Sequence, residues 1–174
     1  MTGKTFLNTV ANGEIDVLQL LLDILKETNT PYCLVGGLAV NAYVEPVVSL
    51  DLDIVVAVEA IENICSSAEK NVLKVEKFRH SVILTSSKSD LRNQLQTDER
   101  YQPFVSRSLP KQVLGYEMRV ASKDDVLQGK VWAYLDETRR KSKRQKDLAD
   151  IARLIETYPE LKNMVPPLIL ERLS

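Results

Sequence analysis

His80 is the only histidine in this 174-residue chain. That excludes a histidine-rich metal cluster, and most His-dependent catalytic triads unless His80 itself is the base. The only two cysteines, Cys33 and Cys65, lie in or beside apolar segments without metal-ligand spacing. They read as reduced packing residues of a cytosolic protein. No apolar run approaches the roughly 20 residues needed to cross a bilayer, and the basic-then-apolar order of a signal peptide is missing. The expectation is a soluble cytoplasmic protein with no membrane partner. A net charge of −1 provides no global attraction to nucleic acid, so electrostatic recognition must be local. Hydrophobic residues at 44% suffice for a core without disulfides.

What is present centres on Tyr32 to Val58. The apolar run Tyr32-Cys33-Leu34-Val35 has strand length and composition. Gly36 and Gly37 follow, where the backbone can turn sharply and approach a ligand because no Cβ intrudes. The spacing then predicts about two turns of helix over Leu38–Tyr43, whose unpaired N–H groups would favour phosphate. After a loop containing Glu45 and Pro46 come Asp51-Leu52-Asp53 and the β-branched run Ile54-Val55-Val56. In a strand, residues i and i+2 share a face, so Asp51 and Asp53 project together. Two carboxylates so placed repel unless a cation lies between them, and Mg²⁺ is commonly held by one or two carboxylates plus substrate phosphates. Each feature alone reads as an ordinary turn or strand end; their order and spacing together carry the signal.

The flanking segments read as scaffold. Glu14–Glu27 predicts an amphipathic helix through Ile15, Leu18, Leu21, Leu22 and Leu25, after a polar stretch, Met1 to Gly13, that reads as loose at its start. Glu59–Lys70 predicts a second helix with Ile61, Ile64, Cys65 and Ala68 inward. Strands are expected over 72–76, 81–85 and 91–96, with a turn at Lys88-Ser89-Asp90. Arg79 and His80 fall at a strand start, where His80 reads as solvated or structural. Thr97–Leu109 reads as a loop or short helix, and Lys111–Val120 as one or two strands around Gly115. Ser122 caps a helix running to about Thr138, with Asp125 in capping-box spacing. Lys130 lies inside that helix, where a snorkelling lysine is the plain reading. Arg139 to Lys146 holds six basic residues in eight and reads as a solvated linker or a phosphate-backbone contact. Asp147–Tyr158 predicts a further helix on which Asp147 and Asp150 share a face, so that one could hold Lys130 by an ion pair.

The stretch from Tyr32 to Val58 resembles the active-site signature of the nucleotidyltransferase superfamily: an apolar strand, two small residues, a short helix, then Asp-x-Asp. Together with Asp125-Val126-Leu127-Gln128-Gly129-Lys130 and Lys146-Asp147-Leu148-Ala149-Asp150-Ile151, it is similar to the AbiEii/AbiGii toxin-like enzymes of type IV toxin–antitoxin systems. The resemblance implies an α/β (α+β) fold, a small mixed twisted sheet with flanking helices. Residues 1–120 would form the catalytic core and 121–174 a helical C-terminal part packed on it. It implies transfer of a nucleotidyl group from a nucleoside triphosphate to an acceptor hydroxyl by two-metal logic. Mg²⁺ or Mn²⁺ would sit on the catalytic Asp51 and Asp53, and nucleotide contacts would come from Gly36, Gly37, Ser49, Lys130, Lys146 and Asp147. The acceptor is left open among RNA such as tRNA, a protein and a small molecule, and an antitoxin partner is implied. In the superfamily a third carboxylate on a neighbouring strand completes the metal site. Here that position falls at Gln94, whose amide carries no charge and takes no proton. Asp90 and Asp98 flank it. The alternative reading is a catalytically degenerate nucleotide- or partner-binding module.

Overall fold

The computed structural model describes residues 2–174. Seven strands form one mixed sheet: β1 (Tyr32–Val35), β2 (Asp51–Val56), β3 (Lys74–Lys77), β4 (Ser81–Ser86), β5 (Ser89–Gln96), β6 (Leu109–Val113) and β7 (Tyr116–Val120), in the spatial order β3-β4-β5-β2-β1-β7-β6. β2 lies at the centre, antiparallel to β1 and parallel to β5, while β1 runs parallel to β7. Its Leu52, Ile54, Val55 and Val56 are fully buried, so the strand that carries the two aspartates is anchored by the core. Burying such a strand on both faces is what β-branched runs are suited to.

Among the described residues eight α-helices surround the sheet: α1 (Gly3–Val10), α2 (Val17–Glu27), α3 (Gly36–Val40), α4 (Ile61–Lys70), α5 (Gln102–Arg107), α6 (Lys123–Leu135), α7 (Lys141–Thr157) and α8 (Pro167–Leu173). α2 packs on α4 and β5, and α3 packs against both α6 and α7. The expected mixed sheet with flanking helices is therefore the fold observed. On α4, Ile61, Ile64, Cys65 and Ala68 are the buried residues, as their spacing indicates. Ser122 Oγ accepts from the Asp125 N–H at 3.2 Å and starts α6 at the expected place.

Several boundaries differ for identifiable reasons. Thr2 to Val10 is not loose: Thr2 caps α1, Leu7 and Ala11 are buried, and the Lys4 ammonium lies 4.8 Å from the centre of the Tyr116 ring. α2 begins at Val17 rather than Glu14, because the Asp16 carboxylate caps the Gln19 N–H at 3.0 Å and Ile15 is left outside. Val72 adopts a left-handed conformation (φ 63°) after α4, which delays β3 to Lys74. The β4–β5 turn tightens, so Ser89 and Asp90 already belong to β5. Most consequential, the basic run is not a linker. Lys141 to Lys146 forms the first turns of α7, leaving only residues 136–140 between α6 and α7.

Candidate active site

The β1–β2 register sets Val35 opposite Asp53, so the chain leaves β1 into Gly36 right beside that carboxylate. Gly36 has φ +74°, and a Cβ there would overlap Asp53 Oδ2. Glycine is required at this position for both reasons. Gly37 has ordinary backbone, and a Cβ on it would only touch Ser49 Oγ at 3.5 Å. Ser49 Oγ in turn donates to the Asp51 carbonyl at 3.3 Å and accepts from the Asp51 N–H at 3.4 Å, fixing the start of β2. The helix expected over Leu38–Tyr43 differs from α3, which starts on the glycines themselves and spans five residues before breaking into a turn. So short a helix has little dipole to offer a phosphate.

Positive charge comes instead from α6 and α7. Together with β2, α3 and the loop before β2, they line a cleft of about 480 Å³ counted out to its open mouth. Gly37, Ser49, Asp51, Asp53, Lys130, Lys146 and Asp147 all line it, so the structure brings these candidates together, with Gly36 beside Asp53. Lys130 is buried between two carboxylates, at 3.0 Å from Asp147 Oδ1 and 2.8 Å from Asp150 Oδ2. Asp147 also receives Arg139 Nε at 2.7 Å, and Asp150 receives Arg153 at 2.8 Å. Both aspartates hold the lysine, rather than one. Burial disfavours the Lys130 ammonium, yet Asp150 and Asp147 outweigh it and push its pKa above the usual lysine value.

The two β2 carboxylates stand in different environments. Burial pushes Asp51 upward, but the hydrogen bond and charge of Lys143, helped by Arg92 and Lys146, hold it below the ordinary range. Burial dominates at Asp53 and raises its pKa against the pull of Lys130. Among the described residues, Asp53 accepts no side-chain hydrogen bond and forms no ion pair. An unpaired carboxylate beside a second carboxylate is a donor set that suits a hard cation. No group of three His, Cys, Asp or Glu side chains among the described residues could hold a metal, so phosphate oxygens or water would have to complete the shell.

Sequence reasoning missed Arg139, Lys143 and Arg153 as lining residues. The signal was present: 143, 147, 150 and 153 fall on one helical stripe once α7 is known to begin at Lys141. Gln94 lies directly opposite Asp53 on the parallel neighbour β5, as the sequence register implies, and no carboxylate occupies that position. Neither flanking acid replaces it. Asp90 accepts from Asn12 Nδ2 at 2.7 Å, and Asp98 is held by Arg100 at 3.0 Å. Arg79 and His80 line a separate pocket with Val58 and Phe78, away from the cleft.

The sequence model for the nucleotidyl transferase AbiEii toxin of type IV TA systems matches residues 19–173. The chain belongs to the AbiEii nucleotidyltransferase family. No curated protein matches the sequence. Among solved structures, the chain is similar to the antibiotic-resistance factor ANT(2'')-Ia, with a TM-score of 0.64 at 14% identity over 90% of each chain. The lincosamide antibiotic adenylyltransferase LnuA superposes with a TM-score of 0.56 at 13% identity, over 79% of this chain and 95% of that one. An antigenic nucleotidyltransferase-like protein from Paracoccidioides brasiliensis gives 0.53 at 17% identity, over 86% and 75%. At such identities the likeness concerns the fold, which is that of nucleotidyltransferases. No helix among the described residues is long and apolar enough to cross a membrane.

Proposed function

We propose that the cleft binds a nucleoside triphosphate with Mg²⁺ or Mn²⁺ and transfers its nucleotidyl group to an acceptor hydroxyl. The observation that carries this reading is the juxtaposition of Asp51 and Asp53 with the cationic side chains of α6 and α7 across one cleft. Carboxylates suit the cation, and lysine and arginine suit the phosphates. Asp51 and Asp53 are the catalytic and metal-holding pair. Gly36 keeps Asp53 free of a side-chain clash, and Gly37 and Ser49 form the floor against which phosphates lie. Lys146, exposed at the mouth, meets the triphosphate directly. Lys130 contributes charge from between Asp147 and Asp150, so Asp147 acts by positioning it. The bound cation supplies Lewis-acid polarisation of phosphate oxygens and offsets charge on the departing pyrophosphate.

In this reading residues 1–120 are the catalytic core and 121–174 the helical part that completes the cleft. The family description supports a role as the toxin of a type IV toxin–antitoxin pair. The acceptor would be an RNA such as tRNA, a protein or a small molecule, each offering a hydroxyl. ANT(2'')-Ia in complex with adenylyl-2''-tobramycin illustrates a small-molecule acceptor in a neighbour of the same fold. Gln94 in place of an acid favours a second reading, a module that binds nucleotide without turnover. Incubation with each α-³²P-labelled nucleoside triphosphate and an RNA or protein pool separates the two. Label transferred to an acceptor, and lost in Asp53→Asn, supports the transferase; retained nucleotide without any transfer supports the binding module.

A further inference from the structure

Two neighbours of the Asp51–Asp53 pair decide how many cations the site can take. On one side Gln94 shares the sheet face of Asp53, directly across from it, and presents an uncharged amide. On the other side the Lys143 ammonium forms an ion pair with Asp51 Oδ2. Lys143 is not a loosely placed surface lysine. The next residue, Arg144, donates from Nε to the Tyr134 carbonyl at 2.7 Å, and Asp147 one turn later is clamped by Lys130 and Arg139. The start of α7 is thereby fixed, with Lys143 directed at Asp51. The lining as a whole already holds five cationic side chains, Lys130, Arg139, Lys143, Lys146 and Arg153, against four carboxylates. Besides the phosphate oxygens of the nucleotide, two divalent cations close together need carboxylates not already committed to side-chain cations. Of the four here, Asp51, Asp147 and Asp150 are paired with lysines, and Asp53 alone among these described residues is not.

We propose that the site takes one divalent cation with the nucleotide, the Lys143 ammonium on Asp51 standing as the second positive charge and Gln94 withholding the ligand a second cation would need. The inference rests on the nucleotide-binding reading of the cleft and concerns its cation count. It also assigns Lys143 the part of a fixed positive charge at Asp51, which its place in a basic run did not reveal.

Bound Mn²⁺ can be counted by electron paramagnetic resonance during titration of the protein with each α,β-methylene nucleoside triphosphate analogue. Wild type should hold one Mn²⁺ per bound analogue. The double variant Gln94→Glu/Lys143→Met should hold two, because it restores a carboxylate and removes the competing ammonium. Two Mn²⁺ in wild type overturns the proposal. So does one in a double variant that melts cooperatively and binds the analogue normally. Lys143→Met alone changes a partly exposed side chain and should melt cooperatively near wild type; it should stay at one Mn²⁺ and bind it about tenfold more tightly, as removal of a neighbouring like charge predicts. Unchanged or weaker Mn²⁺ affinity in that variant contradicts the role given to Lys143. Failure of every form to bind any analogue removes the nucleotide reading itself and the cation count with it, a result distinct from binding with two cations.

Discussion

Gly36 and Asp53 are in such close approach that no side chain can stand between them: a Cβ on Gly36 would overlap Asp53 Oδ2 and lie 3.2 Å from its Cβ and Cγ. The left-handed backbone of Gly36 adds strain to any replacement. Gly36→Ala should therefore cost about 1–3 kcal/mol of stability and displace Asp53. Gly37→Ala, with only a 3.5 Å contact to Ser49 Oγ, should cost less than about 1 kcal/mol. Urea unfolding of the two variants checks the contrast between adjacent glycines.

Lys130 links α6 to α7 through Asp147 and Asp150, and its side chain is only 8% exposed. Lys130→Met leaves two carboxylates facing each other, with Arg139 and Arg153 as their remaining partners. A loss of about 3 kcal/mol is expected, in the range for breaking a buried ion pair. Lys130→Arg should not fully restore stability, because a planar guanidinium does not fit the place of a compact ammonium. Thermal melting at neutral pH measures both.

Asp53 has a raised pKa in the folded protein because burial outweighs the attraction of Lys130. The folded state thus holds this proton more tightly than the unfolded chain does. Its stabilising contribution is complete below the unfolded value of about 4 and is lost as pH rises through the folded pKa. Asp53→Asn removes that loss, so the variant should melt higher than wild type at neutral pH, with the difference shrinking in acid. A melting temperature below wild type across pH 4 to 8 would contradict the assignment. Asp51 behaves oppositely: its lowered pKa stabilises above the unfolded value, and the contribution fades as pH falls.

Val72 is 87% exposed and adopts φ 63°, which a β-branched side chain tolerates poorly. Asparagine accepts that conformation more readily, and it suits the end of a helix. Val72→Asn should stabilise the protein by about 1 kcal/mol without affecting nucleotide binding. Denaturant midpoints are sufficient to test it.

The central strand, the adjacent glycines and the paired aspartates were legible because each leaves a local mark: a period of two, a Gly-Gly step and an i, i+2 carboxylate pair. The Lys130–aspartate bridge was legible as a possibility from the three-residue spacing of Asp147 and Asp150. What escaped was the reach of α7. Arg139 to Lys146 carries so much like charge that it reads as solvated linker. Its helical part, Lys141 to Lys146, meets tertiary partners, Asp51 for Lys143 and the Tyr134 carbonyl for Arg144. Those partners lie 92 and 10 residues away, so no local window contains the first of them. α1 was missed for the same reason, since Lys4 and Asn8 meet Tyr116 only in the folded chain. The starts of α2 and β3 shifted because single residues, Asp16 and Val72, settled where regular structure could begin.

The most direct test is calorimetric titration of the four nucleoside triphosphates with Mg²⁺ into wild type and into Asp51→Asn/Asp53→Asn. The account predicts Mg²⁺-dependent binding of at least one nucleotide by wild type, and its loss in the double variant while the fold persists by circular dichroism. No binding by wild type, or equal binding by the double variant, would contradict the placement of a metal–triphosphate site on β2.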